Sequence, residues 1–84
     1  MNWVGVNVLI TGAGGFIGSH LTESLVELGV SVRAMVHYNA RNNWGLLEFL
    51  PQPIQQELEF FLGAVQDPFS VQKAVASREI IFHL

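Results

Sequence analysis

The sequence predicts an α/β fold, the first half of a doubly wound parallel sheet, running β-α-β-(loop)-β-α-β across residues 1–84. Three observations carry this reading. Short apolar runs of strand length alternate with stretches of helical periodicity. A glycine-rich turn stands where the first strand hands over to the first helix. Each later strand is reached through a helix or a long connection, which calls for parallel pairing with right-handed crossovers.

Each element has its own signal. "WVGVNVLI" (3–10) has the valine and isoleucine content of a buried strand. From Phe16 to Leu28 the residues Ile17, Leu21, Leu25 and Leu28 recur at helical spacing, and Gly29 stands where a helix C-cap glycine belongs. "VSVRAMV" (30–36) reads as a second strand, and "HYNARNNWG" (37–45) as a polar, turn-rich connection. A short helix is predicted at Leu46–Leu50, stopped by Pro51 and Pro53. "LEFFL" (58–62) is a third strand. Asp67-Pro68 reads as N-cap and first helical residue of a helix running to about Ala76. "EIIFHL" (79–84) is a fourth strand whose apolar content calls for cover on both faces, so the chain is expected to be the front portion of a larger fold.

Composition narrows the function classes. Half of the residues are apolar and 13% are charged, and the mean hydropathy is +0.37. That is greasy for one small domain, which can cover little apolar surface, and it points to missing neighbouring protein. The net charge of −3 rests on seven acids against Arg33, Arg41, Lys73 and Arg78, so no basic patch supports nucleic-acid binding. The lack of cysteine excludes a disulfide framework and thiolate metal sites, and suits a cytoplasmic protein. Residues 1–22 carry no charged side chain, yet Asn2, Asn7, Thr11 and the glycines interrupt any signal or spanning segment. Neither membrane nor targeting sequence is expected.

The chemistry is concentrated in "VLITGAGGFIGSHL" (8–21), where Gly12, Gly15 and Gly18 stand three apart after a strand and before a helix. The first amides of a helix have no intrahelical acceptor, and the helix dipole adds positive potential, so such a junction suits a phosphate group. Glycines allow a tight turn and remove the Cβ atoms that would bar a pyrophosphate. The spacing departs from G-x-G-x-x-G, since position 17 is Ile17. Its place inside a β-α-β unit gives the motif its weight, the plain alternative being a turn with no ligand. Gly18 is also expected to let the helix pack closely on the sheet.

The end of the second strand addresses the ribose. An acidic residue about 20 positions on favours NAD, and a basic one favours NADP. Here the positions are His37, Tyr38, Asn39, Ala40 and Arg41, with no Asp or Glu between Glu27 and Glu48. Arg41 would pair with a 2′-phosphate, or is simply a solvated loop cation. NADP is therefore expected to bind at least as well as NAD.

At "TGAGGFIGSHL" (11–21) the chain resembles the extended short-chain dehydrogenase/reductase family, the NAD(P)-dependent epimerase/dehydratase group acting on nucleotide sugars. "LGVSVRAMV" and "EIIFHL" add to the likeness, and "YNARNNWGLLE" (38–48) is similar to the nucleotide-sugar 4,6-dehydratases. The resemblance implies a Rossmann-like fold in which the chain is the N-terminal part of the NAD(P)-binding domain. It implies that Gly12, Gly15, Phe16, Ile17 and Gly18 surround the pyrophosphate, with His37, Tyr38, Asn39 and Arg41 near the adenine ribose. It also implies hydride transfer at the sugar's C4 in the intact enzyme, a nucleotide-sugar substrate there, and frequent homodimers.

Two departures stand out. The family's third strand usually ends in Gly-Asp, whose carboxylate meets the adenine amino group; here the pair is Gly63-Ala64, and Asp67 as an N-cap is a poor replacement. The family's Tyr-x-x-x-Lys catalytic pair is not formed by Tyr38, since Asn42 stands four positions on and the one lysine is Lys73. No catalytic residue is therefore assigned. His20, His37 and His83 lack metal-ligand spacing. His20 reads as a helix-surface residue, His83 as a core residue of an apolar strand, and Glu23 and Glu27 as a solvated face. Beside the leading reading, an NAD(P)-binding segment of a dehydratase or epimerase, stand a non-catalytic dinucleotide-binding or sensing module and a truncated product without activity.

Overall fold

The computed structural model describes residues 2–37 and 44–84. Four parallel strands form one sheet: β1 (Asn7–Thr11), β2 (Ser31–Val36), β3 (Glu59–Leu62) and β4 (Ile80–His83), in the order β3-β2-β1-β4. The order reverses after β3, because β4 returns to the far side of β1. That is the topological switch of a doubly wound α/β fold, as expected from the sequence. Helix α1 (Phe16–Glu27) joins β1 to β2, and α3 (Pro68–Val75) joins β3 to β4. Between β2 and β3 lie a 3₁₀ turn (Gly45–Phe49) and the five-residue helix α2 (Gln52–Gln56).

The register sorts the strand side chains onto two faces. Val8, Ile10, Val32, Ala34 and Val36 join Leu25, Val26 and Val30 at the α1 end, with Leu47 from the 3₁₀ turn, in one buried cluster. Leu9, Met35 and Ala74 form a smaller one on the α3 face. The alternation follows from the two-residue period of a strand. The α3 face is thinly covered: Ile81 is 49% exposed and Phe69 74% exposed.

The structure differs from the sequence reading at four points. The first strand begins at Asn7 rather than residue 3, because Gly5 takes a left-handed φ of +78° and Val6 N–H closes a turn on Trp3 O at 3.1 Å. The 3₁₀ turn does end before Pro51, as expected, but a second short helix, α2, which the sequence reading did not include, starts there. Pro51 is the N-cap of α2 and Pro53 sits in its first turn, where a missing N–H costs nothing. Of the Ile17–Leu28 stripe Leu25 is buried and Leu21 packs on the core, joined by Gly18, Ser19, Thr22 and Val26, while Ile17 and Leu28 are exposed. Helix and glycine turn approach so closely that only small residues fit between them. Finally, His83 is exposed rather than in the core, as β4 has cover on one side of its end only.

The C-cap expectation at Gly29 is met in full. Gly29, with φ +85°, donates to Val26 O at 2.9 Å, and Val30 N–H donates to Leu25 O at 3.1 Å. This is a Schellman closure, with Val30 and Leu25 in apolar contact beneath it.

Candidate functional site

The carboxyl end of β1 runs straight into the glycine turn, residues 12–15, and the turn opens α1 at Phe16. Gly12 has φ +64°, a conformation that L side chains rarely adopt, and a Cβ there would lie 3.0 Å from Leu84 O. Ala13, fully buried, ties the turn to the neighbouring strand by donating to Met35 O at 3.2 Å. Gly15 N–H donates to Gly12 O at 3.2 Å, and Ser19 N–H takes up Gly15 O at 2.9 Å.

Each motif glycine has a different reason. At Gly18 a Cβ would fall on Gly12 O and within 2.8 Å of Ala13 Cα, so the residue is dictated by packing of helix on turn. This refines the expectation of helix-to-sheet contact: the close neighbour is the turn itself. Gly15 is otherwise. It is the N-cap of α1 with an ordinary φ of −79°, and a Cβ there would meet nothing closer than Gly12 O at 3.6 Å. Neither strain nor packing requires glycine at 15. What its bareness leaves clear is the space in front of the helix.

That space faces a positive end. No side chain caps α1, its first turn holds no acid, and the amides of Phe16, Ile17 and Gly18 have no acceptor among the described residues. Phe16 and Ile17 are 70% and 69% exposed, flanking the opening, and Phe16 meets the His20 ring edge-on at 4.7 Å between centroids. An anionic group is the chemistry this arrangement accepts. A cavity of about 150 Å³ adjoins it, lined by Thr11, Gly12, Met35, His37, Gly63, Val65, His83 and Leu84. The structure thus brings Gly12 and Gly15 of the turn together with Phe16, Ile17 and Gly18 of the first turn of α1, and His37 lines the adjoining cavity with Gly12. Tyr38, Asn39 and Arg41 lie outside the described residues.

Several features were not read from the sequence. Thr11 Oγ1 lies 2.8 Å from His83 Nδ1 and accepts Leu84 N–H at 3.2 Å, joining the carboxyl ends of β1 and β4 through side chains. Gly14 packs against the backbone of Trp44 and Gly45. The signal for that contact was present as a glycine within the turn-rich stretch 37–45, but a contact between distant backbones has no sequence period. Asp67 does cap α3, accepting Phe69 N–H at 3.1 Å and the Ser70 hydroxyl at 2.9 Å. Its carboxylate is committed there, and Gly63-Ala64 offers none. Among the described residues no three His, Asp or Glu side chains group as a metal site, and no helix is long and apolar enough to cross a membrane.

Known proteins share this arrangement. The chain is 33% identical to the Arabidopsis thaliana protein BRI1-5 ENHANCED 1 over 79 residues, covering 92% of this chain and 22% of that protein. Among solved structures, vestitone reductase from alfalfa (Medicago sativa) matches with a TM-score of 0.71 and 34% identity over 90% of this chain and 24% of that one. An epimerase from Methanothermobacter thermautotrophicus matches with a TM-score of 0.79 and 26% identity, over 98% and 23% of the two chains. The chain therefore spans about a quarter of the length of these relatives. The family model for GDP-mannose 4,6-dehydratase matches residues 9–84, from β1 to the end of β4. On that match the chain belongs to the GDP-mannose 4,6-dehydratase family, within the NAD(P)-dependent epimerase/dehydratase proteins, and corresponds to their N-terminal portion.

Proposed function

We propose that this chain is the dinucleotide-binding front of a nucleotide-sugar 4,6-dehydratase or epimerase, holding the pyrophosphate of NAD(P) at Gly12–Gly18. The observation that carries the reading is Gly15, bare where neither strain nor packing requires it, beside three helix amides with no acceptor. The residues present fit the cofactor. Phe16, Ile17 and Gly18 would offer backbone amides, the helix dipole would favour the charge, and no carboxylate in the first turn opposes it. When bound, a nicotinamide dinucleotide supplies a hydride acceptor and donor. The protein's part is to hold and orient it. Oxidation at the sugar's C4, with elimination and hydride return, belongs to the whole enzyme. The Tyr-x-x-x-Lys pair that serves it is not among these 84 residues.

NADP is the preferred form in this reading, supported by the absence of any acid between Glu27 and Glu48 and by Arg41. Titration of the chain with NADPH and NADH, followed by amide chemical shifts, tests the proposal. Shifts at Phe16, Ile17 and Gly18 are expected with either nucleotide, and tighter binding with NADPH. Gly15→Val is the matching variant. It should leave the urea midpoint nearly unchanged, since the space is open, and abolish those shifts. Retained shifts in Gly15→Val would sink the assignment.

A further inference from the structure

The stretch Trp44–Leu46 lies against the outer side of the glycine turn, and the two backbones meet where both lack side chains. Leu46 N–H donates to Gly14 O at 2.9 Å. A Cβ on Gly45 would stand 2.7 Å from Gly14 O, and a Cβ on Gly14 would stand 3.0 Å from Trp44 O. The peptide joining Gly14 to Gly15 is therefore held at both poles, its oxygen by Leu46 and its N–H by Gly12 O at 3.2 Å. That peptide leads directly into Phe16, so its tilt sets where the first amides of α1 point.

The holding segment is itself anchored. The Trp44 ring packs on Phe60 of β3 with centroids 4.8 Å apart, and Leu47 is fully buried among the strands of the α1 face. Gly45, with φ +65°, makes the bend that lets the chain pass from one anchor to the other while touching the turn. Two glycines on either side of β2 in the sequence thus form one contact.

We infer that Gly45 and Leu46 are positioning residues for the phosphate cradle, acting through the Gly14–Gly15 peptide. The inference rests on the dinucleotide reading above. Shifting the outer wall turns the peptide, misaims the amides of Phe16 and Ile17, and weakens the anion contact even with the sheet intact. Backbone donors act at full strength only when held within a few tenths of an ångström of the working geometry.

Three variants separate this role from general stability. Gly45→Ala introduces both a Cβ contact and an unfavourable φ. Gly45→Asn introduces the same contact, but asparagine tolerates the left-handed region. Gly5→Ala introduces a comparable φ strain, at +78°, where a Cβ would meet nothing within 4 Å. NADPH titration and ligand-free amide spectra are the readouts. Both Gly45 variants are expected to bind NADPH about tenfold more weakly or worse, as misplaced binding groups do. They should also displace the Phe16 and Ile17 resonances while those of β1 and β2 stay in place. Gly5→Ala should lose stability and keep its NADPH affinity. In the unaltered chain, hydrogen exchange at the Leu46 amide should slow on adding NADPH, a readout that does not depend on the variants folding. Wild-type affinity in Gly45→Asn, or unchanged Leu46 exchange, overturns the positioning role and leaves the dinucleotide reading standing. Failure of the unaltered chain to bind either NADPH or NADH overturns that reading, and this role with it.

Discussion

Arg33 shows how much one side chain can organise. It stands in β2 with 13% of its side chain exposed, and its Nη1 donates to three carbonyls at the end of α3: Lys73 O at 3.1 Å, Ala74 O at 2.7 Å and Ala76 O at 3.0 Å. Its Nε pairs with Glu59 Oε2 at 2.7 Å. These carbonyls belong to a helix C-terminus, where acceptors run short of backbone donors, and a cation there also meets the negative end of the dipole. Losing the guanidinium removes this donor from Ala74 O and Ala76 O, while Lys73 O keeps the Ala76 N–H at 3.4 Å, so Arg33→Met should cost about 2 kcal/mol in urea denaturation. Lysine cannot span the same fork, so Arg33→Lys should recover less than half of that loss. The Glu59 contact is the lesser part, because Glu59 is 54% exposed. Glu59→Gln should cost below about 1 kcal/mol. None of this was legible in the sequence, where Arg33 is a lone cation in an apolar strand and its acceptors lie some forty positions away. Asp67 was legible, because a cap reads out within three residues of itself.

Elements were legible where their signals are local and failed where a neighbour decides. The glycine turn, the Gly29 closure and the Asp67-Pro68 start each follow from backbone requirements of adjacent residues. The core face of α1 was legible only in part: Leu25 of the apolar stripe is buried, but the approach of helix to turn adds Gly18, Ser19 and Thr22, which no apolar period marks. Thr22 closes its hydroxyl on Gly18 O at 2.7 Å and so is buried without a polar cost. Pro51 and Pro53 were read only as stops, which holds for the 3₁₀ turn before them; that they also open α2 was missed, because a proline reads alike on either side of a helix boundary. The end of α3 carries one more local feature, Ser77 at φ +62°. Serine holds this conformation at a cost that glycine avoids. Ser77→Gly should therefore raise the unfolding free energy by about 1 kcal/mol, seen as a higher urea midpoint with an unchanged slope.

For the molecule as a whole, the two sheet faces differ in what they contribute. Leu9 is 1% exposed between β1 and α3, whereas Ile81, its register partner on β4, is 49% exposed. Leu9→Ala should cost about 2–5 kcal/mol, as truncation of a buried leucine does. Ile81→Ala should stay below about 1 kcal/mol, since half its surface already meets water. Equal losses would show that the α3 face is more closed than described. Composition had already indicated more apolar surface than so short a chain can bury; the structure places part of the excess at Ile81 and Phe69, and part at Phe16, Ile17, Leu28 and Phe49, along α1 and the 3₁₀ turn.

The placement of β1 between β2 and β4 bears on the order of assembly. β1 meets β2 after a short excursion through α1, but its pairing with β4 closes a loop roughly three times longer. The extra closure entropy is modest, about 1 kcal/mol, yet the order in time is fixed by synthesis. The glycine turn and its tie to Met35 can form while β4 is still to be made. Gly12 and Thr11 meet Leu84 and His83 only once those residues have arrived. Until then the edge of β1 that receives β4 is open, and an open strand edge is where a chain pairs with the wrong partner. The residues that complete the cradle are thus also the ones that close this inner edge of the sheet.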